Sequence, residues 1–294
     1  MQTTTEIFDR YETIRFRLPK VDTDRATCEI ESLLDIAEPG MAFVFDAFGV
    51  LNVGETLIPG ADQRLDQLRA MGCQIRILTN AASYDRSGAI EKFQKLGVKV
   101  QDDEIITSRD ATLACLGPGH WGVIAAPEDA LADIARPYTR LSNVAADYDL
   151  VDGFLFLSTA DWGDDRQQLL STSLEDHDRP VLIANADLAA PRDDGFSKEP
   201  GHYGQLLADE GAEQVRFFGK PFPEVYELIN TSLPSHAPDQ IVMCGDSLHT
   251  DILGAAAQGW RTVLVMQDGL FAGHAALDFC FEAKISPDWA LARI

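Results

Sequence analysis

The sequence predicts an α/β protein with a doubly wound parallel-sheet core and a smaller α/β domain inserted into it. Short apolar runs alternate with amphipathic stretches that end at glycine, which is typical of consecutive βαβ units. Gly117-Pro118-Gly119 is the clearest internal boundary. We therefore expect the core at residues 1–116 and 214–294 and the inserted domain at residues 117–213. The 294 residues, 46% of them hydrophobic, are enough to bury both cores.

The first part of the core reads as one leading helix followed by a βαβ unit. Residues 1–40 are polar except for a helix-like stretch at 29–36. The apolar run that begins at Phe43 places Asp46 at the carboxyl end of a buried strand, just before Gly49. The further elements expected in this part are helices at 61–71, 85–96 and 108–116 and a strand at 74–80.

The inserted domain and the second part of the core continue the alternation. In the inserted domain we expect strands at 121–125, 153–157 and 181–184, helices at 128–135 and 164–175, and a polar loop at 192–201. In the returning core we expect strands at 215–218, 241–244 and 261–266, a helix at 224–231 and a second helix that ends at Gly259. Strands that alternate with helices predict parallel pairing.

Composition excludes several classes of function. The chain has 47 acidic against 24 basic residues, a net charge of -23, which argues against nucleic-acid and anionic-membrane partners. The five cysteines are scattered and odd in number, so we expect reduced thiols rather than disulfides or a zinc site. No leader-like or membrane-spanning apolar run stands out, and we expect a cytoplasmic protein.

Polar side chains follow four of the apolar strands. Because the carboxyl ends of parallel strands lie at one edge of a sheet, side chains distant in sequence would converge there. Clustered carboxylates suit a hard cation such as Mg²⁺, while a lysine and a hydroxyl suit phosphoryl oxygens. The side chains concerned are Asp46, Thr79, Asn80, Lys220, Asp246 and Asp251.

Each of these side chains has a structural alternative when taken singly. Asp46 and Asp246 could be helix caps, Thr79-Asn80 could form a turn, and Lys220 could lie on the surface. Their joint occurrence after four strands makes the structural alternatives much weaker.

Four segments resemble the motifs of the haloacid dehalogenase superfamily, in the order of that family. They are Phe45-Asp46-x-x-Gly49-Val50-Leu51, Leu78-Thr79-Asn80, Gly219-Lys220-Pro221-x-Pro223-x-x-Tyr226 and Gly245-Asp246-Ser247-x-x-Thr250-Asp251-Ile252-x-Gly254-Ala255. Thr107-Ser108-x-x-Ala111-Thr112 and Ala184-Asn185-x-Asp187 further resemble the NagD-like subfamily, class IIA. The resemblance implies a Rossmann-like core and a large α/β cap between the second and third motifs.

The resemblance also implies a chemistry for each motif. Asp46 would be the nucleophile that forms an aspartyl-phosphate, Thr79 would hold the transferring phosphoryl group, and Lys220 would neutralise that group and orient Asp46. Asp246 would bind Mg²⁺ together with Asp46.

Further residues complete the implied site. The backbone carbonyl of Phe48 would also bind the metal, and Asp251 would support its water shell. Asn80, Asn185 and Asp187 would contact a small phosphorylated metabolite under the cap. Members of this subfamily often pair through the cap, which implies a homodimer.

Phe48 departs from the family pattern. Phosphatases of the superfamily carry at this position an aspartate that protonates the leaving oxygen, a role worth about 10² to 10⁴ in rate. We therefore expect a phosphohydrolase that acts on a good leaving group, such as an acyl phosphate or diphosphate, or that takes its acid from Asp187 or His249. Two alternatives remain open: a haloacid dehalogenase, which needs no such acid, and a catalytically weak member that binds a phosphometabolite or a protein.

Overall fold

The computed structural model describes residues 3–23, 25–192 and 195–294. Its helices are α1 (Thr4–Thr13), α2 (Ala61–Ala70), α3 (Arg86–Lys95), α4 (Ser108–Ala114), α5 (Ala145–Asp149), α6 (Asp164–Asp176), α7 (Pro200–Glu210), α8 (Pro223–Ser232), α9 (Leu253–Ala257) and α10 (Ala276–Ala283). Its strands are β1 (Cys28–Glu29), β2 (Ala42–Phe45), β3 (Asn52–Val53), β4 (Thr56–Leu57), β5 (Gln74–Thr79), β6 (Ile105–Thr107), β7 (Trp121–Ile124), β8 (Tyr138–Arg140), β9 (Gly153–Phe156), β10 (Val181–Ile183), β11 (Ala189–Arg192), β12 (Gly195–Lys198), β13 (Val215–Phe217), β14 (Ile241–Gly245), β15 (Arg261–Val265) and β16 (Trp289–Leu291).

The core is a seven-stranded parallel sheet in the order β1-β16-β15-β14-β2-β5-β6. The central strand β2 is buried along its whole length, which agrees with its unbroken apolar sequence. It lies between β14 and β5, and Phe45 is aligned with Cys244 on one side and Ile77 on the other. The predicted α/β class with a doubly wound parallel sheet is confirmed.

The inserted domain, here called the cap, has its own parallel sheet in the order β13-β10-β9-β7-β8. Strand β13 pairs with β10 although it lies beyond the predicted boundary at residue 213. The cap sheet therefore extends to Phe217, and the chain returns to the core only after that residue. An antiparallel hairpin, β11 with β12, projects from the cap.

Three local predictions were wrong. The stretch at 29–36 is an edge strand followed by a 3₁₀ turn, because residues 28–29 pair with β16 and Ser32 caps the turn Leu33–Asp35. The stretch at 128–135 forms turns instead of a helix, because Asp129 and Asp133 both bind Arg109 of the core. The predicted polar loop at 192–201 contains strand β12 and the start of α7, with residues 193 and 194 outside the described part.

The sequence reasoning also missed elements at both ends of the core. Helix α1 begins at a capping box in which Thr3 and Glu6 exchange hydrogen bonds of 3.2 Å. Its Ile7 and Tyr11 are four residues apart and pack into an apolar cluster with Ile252 and Phe271. Helix α10 joins the same cluster, and β16 extends the core sheet.

No helix among the described residues is both long and apolar enough to cross a bilayer.

Arg109 joins the core to the cap through a buried cluster of charges. Its guanidinium, 1% exposed, lies 2.6 Å from carboxylate oxygens of both Asp129 and Asp133. Burial alone would lower the pKa of Arg109, but its hydrogen bonds to the two carboxylates outweigh burial and raise it. Removing this cation would leave Asp129 buried without a counter-charge.

Arg109→Met should lower the free energy of unfolding by about 3 kcal/mol, because breaking a buried ion pair strands its partner. Arg86→Met is the matched control. Its ion pair with Asp110 lies at the surface, so it should cost less than about 1 kcal/mol. Urea titration measures both values, and equal losses for the two variants would contradict the role given to Arg109.

Candidate active site

The predicted convergence of strand ends is present in the structure. Asp46 follows β2, Asp246 follows β14, and Thr79 is the last residue of β5. These three strands are adjacent in the sheet, and the backbone N–H of Asp46 donates to the carbonyl of Cys244 at 2.9 Å. The parallel register therefore brings the side chains to one edge of the core.

Lys220 supplies positive charge at this edge of the core sheet. Its ammonium nitrogen lies 2.5 Å from Oδ1 of Asp46 and 2.8 Å from Oδ1 of Asp251, and its side chain is 1% exposed. Burial alone would lower the pKa of Lys220, but the two carboxylates outweigh burial and raise it. Lys220 therefore stays protonated and fixes the orientation of Asp46.

Three carboxylates form the negative part of the same edge. One oxygen each of Asp46, Asp246 and Asp251 lie within 4.8 Å of one another. Burial, followed by the charges of Asp251 and Asp46, raises the pKa of Asp246 well above its usual value. The pKa of Asp251 is raised to about 6, mainly by burial and against the effect of Lys220. The positive charge of Lys220 alone does not balance three carboxylates in a buried place, so a second cation is expected there.

The donor set fits a magnesium ion. All three side chains offer carboxylate oxygens, the ligands that Mg²⁺ prefers. Two glycines leave room around Asp246, since a Cβ at Gly49 or Gly269 would lie 2.5 or 2.1 Å from Oδ2 of that residue. The backbone N–H of Leu270 donates to the same oxygen at 2.6 Å and fixes its direction.

Asn80 ties Lys220 to the cap. Its Oδ1 accepts from the backbone N–H of Lys220 at 2.7 Å, and its Nδ2 donates to the carbonyl of Lys220 at 2.9 Å. The same Nδ2 donates to Oδ1 of Asp187 at 2.8 Å. Asn80 was predicted to bind substrate; in this structure its amide contacts the backbone of Lys220 and the cap carboxylate of Asp187, so it connects the two.

Asn185 holds the cap turn that carries Asp187. Its Oδ1 accepts from the backbone N–H of Asp187 at 2.9 Å, and its Nδ2 donates to Glu199 at 3.1 Å. Burial, followed by the charge of Asp46 acting against Lys220, raises the pKa of Asp187 well above its usual value. A protonated carboxyl at this place could donate a proton to a bound group.

One cavity between core and cap brings most of the predicted residues together. Those that line it are Asp46, Phe48, Thr79, Asn80, Asn185, Asp187 and Asp246. Lys220 and Asp251 are not part of the lining, and the ion pairs of Lys220 with Asp46 and Asp251 connect them to it. Core motifs and cap motifs therefore share a single site.

Two lining residues come from α1 and were missed in the sequence. Ile7 and Tyr11 border the cavity, and the hydroxyl of Tyr11 accepts from the backbone N–H of Leu188 in the cap at 3.1 Å. The capping box that starts at Thr3 was a signal for the helix itself. Nothing in the sequence indicated that this helix packs over the active site.

His249 does not reach the cavity. It is fully buried behind Tyr11, whose ring stacks on the imidazole with centroids 4.8 Å apart. Its Nε2 lies 2.6 Å from Glu12, while burial lowers its pKa. Of the two acids suggested by the sequence, the geometry leaves Asp187.

Phe48 lies where core and cap meet. The ammonium of Lys92 from α3 lies 4.0 Å from the centre of its ring, and the guanidinium of Arg192 from the cap hairpin lies 4.9 Å from it. Arg192 also pairs with Glu199 at 3.0 Å. The aromatic ring thus supports contacts between the domains in place of an acid.

Comparisons with known proteins agree with this architecture. Residues 43–135 match a family model described as haloacid dehalogenase-like hydrolase, and residues 217–290 match a second HAD-hydrolase-like model. The chain is 26% identical to phosphoglycolate phosphatase 2 of Arabidopsis thaliana, over 90% of this chain and 93% of that protein.

Solved structures share the fold over most of its length. A structure from Cytophaga hutchinsonii, described as a possible sugar phosphatase of the HAD superfamily, gives a TM-score of 0.78 at 22% identity over 90% of this chain and 98% of its own. A glycerol phosphate phosphatase of Mycobacterium tuberculosis in complex with magnesium gives 0.67 at 22% identity over 85% and 73%. Because the two family models together match more than half of its residues, and its four motifs stand in order with an α/β cap between the second and third, the chain belongs to the haloacid dehalogenase superfamily of hydrolases.

Proposed function

We propose that this protein is a Mg²⁺-dependent phosphohydrolase that acts on a small phosphorylated metabolite through an aspartyl-phosphate on Asp46. The observation that carries the proposal is the position of the Asp46 carboxylate, which Lys220 holds at 2.5 Å at the open edge of the core sheet. The phosphatase names of the relatives support the reaction class.

Each core residue has a role in this proposal. The carboxylate of Asp46 attacks phosphorus and the leaving oxygen departs, after which water attacks the aspartyl-phosphate and releases inorganic phosphate. The hydroxyl of Thr79 donates to a phosphoryl oxygen. Lys220 orients Asp46 and offsets the charge on the transferring group.

Asp46, Asp246 and the backbone carbonyl of Phe48 would hold Mg²⁺, and Asp251 would order its surroundings. When bound, the ion offsets the phosphoryl charge. The carboxylate cluster fits this role, and the magnesium complex of the M. tuberculosis phosphatase supports it.

Because Phe48 stands where an acid is expected, the choice of leaving group has to make up for the missing proton donor. A phenylalanine cannot give a proton to the departing oxygen, so the reaction suits leaving groups that depart without one, such as a short acyl phosphate. Asp187 is the second source of a proton, since it lines the same cavity and its raised pKa favours the protonated form.

The two alternatives have less support. Phe48 is compatible with carbon–halogen hydrolysis, but the pair Asp246 and Asp251 beside Asp46 and the large α/β cap favour phosphoryl chemistry. A protein that only binds a phosphometabolite or a protein does not need a nucleophile, and this chain keeps all of Asp46, Thr79 and Lys220. The homodimer through the cap and the cytoplasmic location stay predictions.

Asp46→Asn should reduce phosphate release from an aryl or acyl phosphate by about 10³-fold or more, because the amide is a poor nucleophile. Asp66→Asn, at an exposed carboxylate, is the control and should leave the rate unchanged. Turnover by Asp46→Asn at the wild-type rate would refute the assignment of the nucleophile.

Mg²⁺ should raise the melting temperature of the chelator-treated protein by a few degrees. A ligand that binds only the folded state at about 100 times its Kd stabilises that state by about 2.7 kcal/mol. Thermal unfolding monitored by circular dichroism measures the shift. Asp246→Asn should abolish it and Asp66→Asn should keep it; a full shift in Asp246→Asn would mean that Mg²⁺ binds elsewhere.

Comparing kcat/KM for substrates with different leaving groups identifies the residue that gives a proton to the leaving oxygen. Phe48→Asp should raise kcat/KM for alkyl phosphates by roughly 10-fold or more, while 4-nitrophenyl phosphate changes little because its leaving group needs no proton. If Asp187 is the donor, Asp187→Asn should slow alkyl phosphates far more than 4-nitrophenyl phosphate. Equal losses on both substrates would limit Asp187 to a positioning role.

A further inference from the structure

Seven apolar side chains of the described residues line the cavity beside its acids, amides and hydroxyl groups. The lining residues come from α1, from the loops after β2, β5 and β14, from the cap segment that includes the hairpin and from the loop at Leu270. The apolar side chains among them are Ile7, Phe48, Ala81, Ala189, Ala190, Pro191 and Leu270. Such a surface binds carbon atoms without an ionic partner.

No lysine, arginine or histidine is among the described residues that line this cavity. Lys220, outside the lining, is already paired with Asp46 and Asp251. The site therefore has to balance three clustered carboxylates and a phosphoryl dianion with Lys220 and one divalent ion. Within the described lining, a further anion would meet carboxylates and no cation.

Two other cations contact Phe48 and are not part of the lining. Lys92 and Arg192 lie against the ring of Phe48, and Arg192 is paired with Glu199. The carboxylates of Asp46 and Asp246, in contrast, belong to the lining itself. Their charge opposes a substrate that carries a carboxylate on its leaving group.

We propose that the substrate has a compact, uncharged leaving group, which packs between Ile7 and Tyr11 of α1 and the cap hairpin. This inference rests on the proposed phosphohydrolase function and narrows its substrate class. The proposed substrate differs from that of the relatives named phosphoglycolate phosphatases, because phosphoglycolate carries a carboxylate on its leaving group. Short acyl phosphates meet both the apolar wall and the requirement set by Phe48.

The test compares ethyl phosphate with phosphoglycolate, which carries a carboxylate in place of the methyl group, as competitive inhibitors of 4-nitrophenyl phosphate hydrolysis in Mg²⁺. We expect Ki for phosphoglycolate to exceed Ki for ethyl phosphate by at least about 10-fold, owing to the uncompensated carboxylate. Calorimetric titration of both ligands into the Mg²⁺-loaded protein measures the same ratio without turnover.

A charge variant makes the comparison specific. Ala189 lines the cavity and is partly exposed, so Ala189→Arg should place a cation there. It should lower the ratio of the two inhibition constants by about 10-fold. Leu150→Arg, at a position that is 72% exposed and outside the cavity, adds the same net charge and should leave the ratio unchanged.

The outcomes separate the two proposals. Phosphoglycolate binding as tightly as ethyl phosphate, or an equal change of the ratio in Ala189→Arg and Leu150→Arg, overturns the inference about the leaving group. Absence of Mg²⁺-dependent hydrolysis of 4-nitrophenyl phosphate overturns the phosphohydrolase itself. In that event the calorimetric ratio still decides whether the cavity rejects a carboxylate.

Discussion

The ion pair between Lys220 and Asp46 is the interaction on which the rest of the site depends. Parallel strands deliver carboxylates to one edge of the core, where a cation has to offset their mutual repulsion. Lys220 supplies that charge, and Asn80 fixes its backbone from both sides. The amide of Asn80 also contacts Asp187, so the same residue connects the charge balance of the core to the position of the cap.

The cap and α1 turn this edge into an enclosed site. The cap contacts the core through Asp187 and Arg109, and α1 lies across both domains. Arg10 and Arg17 of this N-terminal segment bind Asp209 of the cap, while Thr4 donates to the carbonyl of Leu270 at 2.8 Å. Because the backbone N–H of Leu270 holds Asp246, the helix is connected by two hydrogen bonds to the carboxylate cluster. Enclosure of this kind strengthens electrostatic interactions with a bound phosphoryl group.

The sequence was sufficient for the core because its pattern is local and regular. Apolar strands that each end in a polar residue predict both a parallel sheet and the edge where Asp46, Thr79 and Asp246 meet. The failures occurred where distant contacts decide the local structure. Residues 128–135 have a helical pattern, but the attraction of Asp129 and Asp133 to Arg109 holds them as turns.

The parts of the site that the sequence did not predict also depend on contacts between residues distant in sequence. The helix around Tyr11 could have been found from its capping box, yet its place over the cavity depends on an apolar cluster formed with residues more than 200 positions away. Phe48 shows the converse case. The sequence showed that an acid is missing, but only the structure shows that Lys92 and Arg192 lie against the aromatic ring.

The most direct test of the account is to trap the covalent intermediate. The wild-type protein is mixed with acetyl phosphate and Mg²⁺, quenched with acid within the first turnover, digested and analysed by mass spectrometry. The account predicts a phosphoryl group on the peptide that contains Asp46, and its loss after treatment with hydroxylamine. Phosphate release without any labelled peptide, or a label on another residue, would contradict the assignment of Asp46 as the nucleophile.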